Sequence, residues 1–287
     1  KGLERITKYM MSALLVLMLV LAVHSALLDG AADGLAFYLT PDFSKINGSV
    51  IVGAMNQAFF TLSTGMGGMA IFGSYIDKDH SLMGESVNVI VLDTFVAILA
   101  GFIIFPACST YGLEVNAGPS LLFDTMASVF NHMAGGRIWG TMFFLFMIFA
   151  ALSTVLGVCE NILAMVRELT GWSRPKGCII CGTGIFLLAL TTALGYSVIH
   201  FQPFAEGTAW LDLWDFIVSN NVLPLGSLVL TLFCCNKFGW GWDNFVREAN
   251  TGRGLKIRPW MRPVFQYITP VIIAFIYAYG MATFQWR

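Results

Sequence analysis

An all-α integral membrane protein with about seven transmembrane helices, one of them discontinuous, is the fold class this sequence predicts. Three observations carry the prediction. Hydrophobic residues make up 57% of the 287 and charged residues only 11%, about half the charge of a soluble domain, and the mean hydropathy is +0.73. Apolar runs of the roughly 20 residues needed to cross a hydrocarbon core recur between polar turns. Lys and Arg fall unevenly between alternate loops, as they do in multi-pass proteins. The net charge of -1, with no basic stripe interleaved with aromatics, argues against a nucleic-acid partner.

In chain order, the first span covers 10–28, after the basic stretch Lys1, Arg5, Lys8. A polar loop comes next, marked by Asp29-Gly30, Asp33-Gly34 and Thr40-Pro41-Asp42 as turn signals. The second span, 48–75, ends at Asp77-Lys78-Asp79-His80, and the third covers 85–108. The loop 109–137 carries Gly118-Pro119 and a short amphipathic run at 120–130. A long fourth span, 138–169, ends in Arg167-Glu168, and a basic turn at 171–176 leads to the fifth, 177–200. The sixth, 211–236, is entered through Asp212 and Asp215; the hydrophilic stretch 237–262 precedes the last, 263–284. Seven spans put the termini on opposite sides. With the N-terminus in the cytoplasm, every Lys and Arg except Lys45, Arg137 and Arg287 falls inside. The expectation is a multi-pass protein of the cell inner membrane, with its C-terminus outside and the lipid bilayer as its solvent.

The second span holds the chemistry. Ser63-Thr64-Gly65-Met66-Gly67-Gly68 is a poor helix interior, yet it lies where every peptide group needs a partner. One reading is a broken helix whose opened backbone faces a ligand; the other is a glycine-rich helix-packing face. Asp93 is the only charge deep in the third span. A carboxylate there must be hydrogen-bonded as the acid or balanced by a cation, and a hard cation wants oxygen ligands of the kind Thr61 and an opened backbone supply. On the fourth span Ala150, Ser153 and Thr154 share one helical face. They form either part of an oxygen cage or two hydroxyls bonded back to their own helix. Glu160 is a second intramembrane acid, read as bracing the opened helix. Asp215 and Glu168 read either as gate charges or as solvated helix ends. The cysteines, including Cys178 and Cys181, read as small apolar filling. The histidines are scattered, with no Gly-x-Ser-Gly or His-Glu-x-x-His pattern, so an enzyme is not expected.

The chain resembles the neurotransmitter:sodium symporters, particularly the bacterial amino-acid transporters of the LeuT type. The resemblance rests on Lys1-Gly-Leu-Glu-Arg5, Ala31-Ala-Asp-Gly-Leu35, Thr40-Pro-Asp-Phe43, the segment 57–67 with its Phe-Phe-Thr-Leu-Ser core, Gly118-Pro-x-Leu-Leu-Phe123 and Phe149-Ala-Ala-Leu-Ser-Thr154. These run in family order along essentially the whole chain. The register matches the family's fifth to eleventh helices, which implies that the first four are absent. The resemblance divides 1–287, a single transmembrane domain, into a flanking helix and outer loop (1–47), the second inverted repeat (48–236), and a cytoplasmic loop with the final helix (237–287).

The resemblance also implies roles. Thr61 and Asp93 match ligands of a first sodium ion; many members have Asn at the second position. The carboxylate implies that chloride is not required. Ala150, Ser153 and Thr154 match ligands of a second sodium. Phe60, Thr61, Ser63, Met66, Thr154 and Val158 match the substrate pocket, and Met in place of a family Phe favours a large hydrophobic or aromatic amino acid. Asp215 and Glu168 match the outer and inner gate acids. The implied parent activity is sodium-coupled amino-acid import by alternating access. Both sodium sites are incomplete in this chain, and the missing N-terminal helices are expected as a partner chain or segment. The alternative is a truncated or split, non-transporting membrane scaffold that needs a partner chain.

Overall fold

Among the described residues, six helices are long and apolar enough to cross a membrane: 5–26, 82–110, 136–170, 174–195, 210–235 and 259–283. The second predicted span, 48–75, is present as two short helices with a gap between them. The structure is a computed structural model that describes residues 2–113, 118–196, 198–199, 201–205 and 207–284. Lys1 and Arg287, two of the charges in the Lys and Arg asymmetry, and His200, the predicted end of the fifth span, lie outside the described residues.

The helices in order are α1 (Gly2–Ala26), α2 (Ala31–Leu39), α3 (Gly48–Thr61), α4 (Gly68–Ser74), α5 (Leu82–Thr110), α6 (Met126–His132), α7 (Gly136–Thr170), α8 (Arg174–Gly195), α9 (Trp210–Ile217), α10 (Leu223–Cys235), α11 (Trp242–Ala249) and α12 (Thr269–Thr283). Three π-helical turns, Leu121–Thr125, Val218–Val222 and Val264–Ile268, lead into α6, α10 and α12. The amphipathic run predicted at 120–130 is thus the π turn and the start of α6.

The chain divides into two units, Lys1–Ser44 with Val91–Gly157, and Lys45–Ile90 with Val158–Arg287. In the first, Leu14, Met18 and Leu21 of α1, Ile103, Ala107 and Cys108 of α5, Met126 and Val129 of α6, and Phe143 of α7 form one buried cluster. Lipid tails are as apolar as these side chains, so close packing holds such helices together. The sequence supplies small residues where backbones approach. A Cβ on Gly34 of α2 would lie 2.4 Å from the Phe105 carbonyl oxygen, and one on Gly101 of α5 would lie 2.1 Å from the Tyr38 ring. Tyr38 then stacks on Phe105 with ring centroids 4.6 Å apart.

The second unit carries the broken helix. Phe59 of α3, Leu223 of α10 and Ile273 of α12 are its central buried cluster. A Cβ on Gly48 would lie 2.1 Å from the Tyr279 hydroxyl, so the start of α3 sits directly on α12. A second cluster, Cys235, Trp242, Ala249 and Ile257, pins α11 and the stretch after it to the end of α10.

These close approaches give a stability test. Gly34→Ala pushes a methyl into a backbone carbonyl, an overpacking that costs about 1–3 kcal/mol. Gly53→Ala in α3 meets nothing within 4 Å and should be neutral or slightly stabilising. Thermal unfolding in detergent should show a midpoint lowered by several degrees for the first and unchanged or raised for the second.

Candidate functional site

The helix stops at Thr61 because the next six residues cannot continue it. Ser63 has φ of 51°, Gly65 of 82° and Gly67 of 76°, all left-handed. Glycine takes that region without strain, whereas Ser63 does so at a cost. The last turn of α3 closes on itself: Ser63 N–H donates to the Phe60 carbonyl (3.0 Å), Thr64 N–H to the Phe59 carbonyl (3.1 Å), and the Thr64 hydroxyl to the same Phe59 oxygen (3.4 Å). Among the described residues, no backbone N–H from Gly65 to Met69 reaches a backbone carbonyl. The alternative sequence reading, an unbroken helix with a glycine packing face, does not hold. The glycines do pack, but within the break: a Cβ on Gly65 would lie 2.2 Å from the Leu223 carbonyl, and one on Gly226 2.3 Å from the Gly65 carbonyl. The opened strand therefore crosses α10 backbone to backbone. The Ser227 hydroxyl, buried beside Gly65, has no hydrogen-bond partner among the described residues.

Glu160 does not brace this break as expected. It forms an ion pair with Arg174, at 2.7 Å and with Glu160 only 15% exposed, tying α7 to the first turn of α8. The bracing residue is its neighbour, Asn161, whose amide donates to the Met66 carbonyl at 3.5 Å and stands 3.4 Å from where a Cβ on Gly68 would lie.

Two of the cavities that border α3 contain predicted site residues. One, of about 330 Å³, is lined by Gly53, Asn56, Gln57, Phe60, Asp215, Ser219 and Asn220. It brings a predicted substrate residue, Phe60, together with a predicted gate acid, Asp215. The π turn before α10 shapes its wall. Ser219 donates to the Asp215 carboxylate at 2.6 Å, Asn56 donates to Asn220 at 2.5 Å, and the Tyr277 hydroxyl of α12 donates to Asn221 at 3.1 Å. Two adjacent asparagines of this turn thus reach different helices. Asp212 is spent locally, accepting from Ala209 N–H at 2.6 Å. The other cavity, of about 390 Å³, runs along the break, with Ser63, Thr64, Gly65 and Ser227 in its lining. Met66 packs against the Phe59–Leu223–Ile273 cluster.

The other predicted residues lie on α3, α5 and α7. Thr61 is the last residue of α3, and Asp93 is half-buried on α5. Ser153 and Thr154 of α7 both donate to the Ala150 carbonyl, at 2.8 and 3.1 Å. The back-bonding alternative is therefore realised, and it also gathers three oxygens on one helical face. Val158 and Glu168 are exposed further along α7. The sequence reading missed Asn56, Asn161, Ser219 and Asn220. Their signal was present, since asparagines inside apolar spans seek polar partners there.

A multi-pass helical membrane protein built around a discontinuous helix, with polar groups converging on the break, is the architecture of a transporter. The comparisons agree. The model of the sodium:neurotransmitter symporter family matches residues 1–287, and the chain belongs to that family, which is one of transporters rather than enzymes. An uncharacterized sodium-dependent transporter of Haemophilus influenzae is 32% identical over 96% of this chain and 60% of its own length. The sodium-dependent transporter YhdH of Bacillus subtilis is 34% identical over 81% of this chain and 51% of its own. The crystal structure of MhsT in complex with L-phenylalanine matches with a TM-score of 0.84 and 35% identity, over 95% of this chain and 62% of that one. The chain thus spans between half and two thirds of the length of these proteins.

The break predicts a gap in protection. Hydrogen–deuterium exchange should show amides 65–69 exchanging at least tenfold faster than those of α3 and α7, and Asn161→Ala should widen the gap. Uniform protection through Met66 would contradict the discontinuous helix.

Proposed function

We propose that this chain is the C-terminal part of a sodium-coupled symporter that imports a hydrophobic or aromatic amino acid by alternating access. The observation that carries the reading is the opened backbone at Gly65 and Met66, whose N–H groups and carbonyls lie outside the helical ladder within a hydrophobic span. Opened helix ends of this kind suit a zwitterionic substrate and a small cation. The relatives named as sodium-dependent transporters support the ion, and a 35% identical chain solved with L-phenylalanine supports the substrate class.

In this reading two sodium ions are co-substrates. Thr61 and Asp93 are ligands of the first, with the fixed carboxylate replacing a chloride requirement. Ala150, Ser153 and Thr154 are ligands of the second: the cation takes the Ala150 carbonyl, and the two O–H bonds turn away from it. Phe60, Thr61, Ser63, Met66, Thr154 and Val158 contact the substrate, and Asp215 and Glu168 act as outer and inner gate charges. Segment 48–236 is the second of two inverted repeats. The protein lies in the cell inner membrane with its N-terminus in the cytoplasm.

The chain by itself offers too few ligands for this work. A hard cation stripped of water needs about six oxygens; the proposed residues supply roughly half. The substrate's carboxylate and ammonium groups need partners when buried, and one buried apolar side chain contributes only about 2–3 kcal/mol. The remaining helices, as a partner chain or segment, complete both sites.

Equilibrium binding of labelled phenylalanine, tryptophan and leucine, in sodium and in potassium, tests this. The purified chain alone should show no saturable binding at micromolar concentration. Supplying the N-terminal helices should restore sodium-dependent binding, which Asp93→Ala should weaken at least tenfold and Asp93→Asn should partly recover. Tight sodium-dependent binding by the chain alone would contradict the half-site proposal. Loss of sodium dependence from the completed protein would contradict the symport reading.

A further inference from the structure

The stretch after α10 is folded onto the ends of three long helices. Trp240 N–H donates back to the Phe233 carbonyl at 2.8 Å, closing a tight turn that carries Lys237 and Phe238. Trp242, Ala249 and Ile257 then pack on Cys235, with Leu82 and Met83 of α5 and Phe265 before α12 around them. The Gln266 amide donates to the Cys235 carbonyl at 2.6 Å, and the Arg262 guanidinium donates to the Gln266 side-chain oxygen at 3.0 Å. Since α5, α10 and α12 belong to membrane-crossing segments, a layer pinned to their ends lies at headgroup depth.

This layer is basic and aromatic. Residues 237–262 hold six Lys and Arg against two acids, Asp243 and Glu248. Some of the six are engaged within the protein: Lys256 on the Asn250 and Gly252 carbonyls, and Arg247 on Asn244. Lys237 and Arg258 are exposed and have no hydrogen bond or ion pair from their side chains among the described residues. Arg262 is exposed and keeps donors beyond the one given to Gln266. Beside them stand Phe238, 81% exposed, and Trp260, 66% exposed. Large apolar rings beside unpaired cations are costly in water but suit the boundary between headgroups and acyl chains, where Trp is enriched.

We infer that the α10–α12 junction is a binding surface for anionic phospholipid, with Lys237, Arg258 and Arg262 on the headgroup phosphates and Phe238 and Trp260 seated at the acyl boundary. Basic residues close to an anionic bilayer each strengthen binding about fivefold, and added salt weakens the attraction. The inference is independent of the transport reading, because it needs neither substrate nor sodium.

The probe is phosphatidylglycerol against phosphatidylcholine, presented in mixed micelles to the full chain. Native mass spectrometry should show phosphatidylglycerol retained preferentially. Lys237→Gln and Arg258→Gln should each lower that retention about fivefold, and Lys45→Gln, outside the junction, should leave it unchanged. As a measurement that does not depend on the charge variants, brominated phosphatidylglycerol should quench a component of tryptophan emission that is absent from Trp260→Phe. Equal retention of the two lipids, full retention by the double charge variant, or no quenching of Trp260 would each overturn the proposal.

Discussion

A peptide group inside a hydrocarbon layer must find a partner within the protein, and the six residues after Thr61 put that demand under strain. Three left-handed residues in five positions, 63, 65 and 67, end the helical ladder. The structure meets part of that demand and packs the rest of the break closely. α3 folds its last carbonyls back onto Ser63 and Thr64. α10 presents glycine and serine so that the opened strand can lie against its backbone. α7 supplies an amide to the Met66 carbonyl. Each of these depends on a residue that would be ordinary elsewhere: Gly226 for its missing side chain, Asn161 for a donor at one depth.

The two halves of the broken helix are held by different means. α3 sits directly on α12 at Gly48 and reaches the π turn before α10 through Asn56. α4 is seven residues long, too short to be stable by its own ladder, and depends on Asn161 near its first residue. The π turn matters for a related reason. Within it Asn220 and Asn221 bond to different helices and Ser219 reaches back to Asp215.

Membership of a transporter family fits this arrangement, and the length of the match bears on its use. A broken helix is half of a binding site in physical terms. It provides directional backbone groups, but a dehydrated ion or a zwitterion must be surrounded. This chain spans between half and two thirds of the length of the relatives it matches.

Much of this was legible in the residues themselves. The apolar runs, the asymmetry of Lys and Arg, and the glycine and hydroxyl cluster at 63–68 determined the class, the spans and the position of the break, because hydrophobic length and backbone conformational cost are local properties. The family motifs carried the register from Lys1 to Thr154. Partnership was not legible. Glu160 and Asn161 are adjacent, and nothing local says that the acid turns to Arg174 while the amide turns to Met66; that choice depends on which neighbouring helix each face of α7 meets. The same holds for Asn56 with Asn220, 164 residues apart, and for Gly65 against Leu223, where the contact exists only once two helices cross. Conformational preference belongs to the residue and is written in the sequence, whereas the partner of a polar group is set by distance in space, which only the tertiary structure decides.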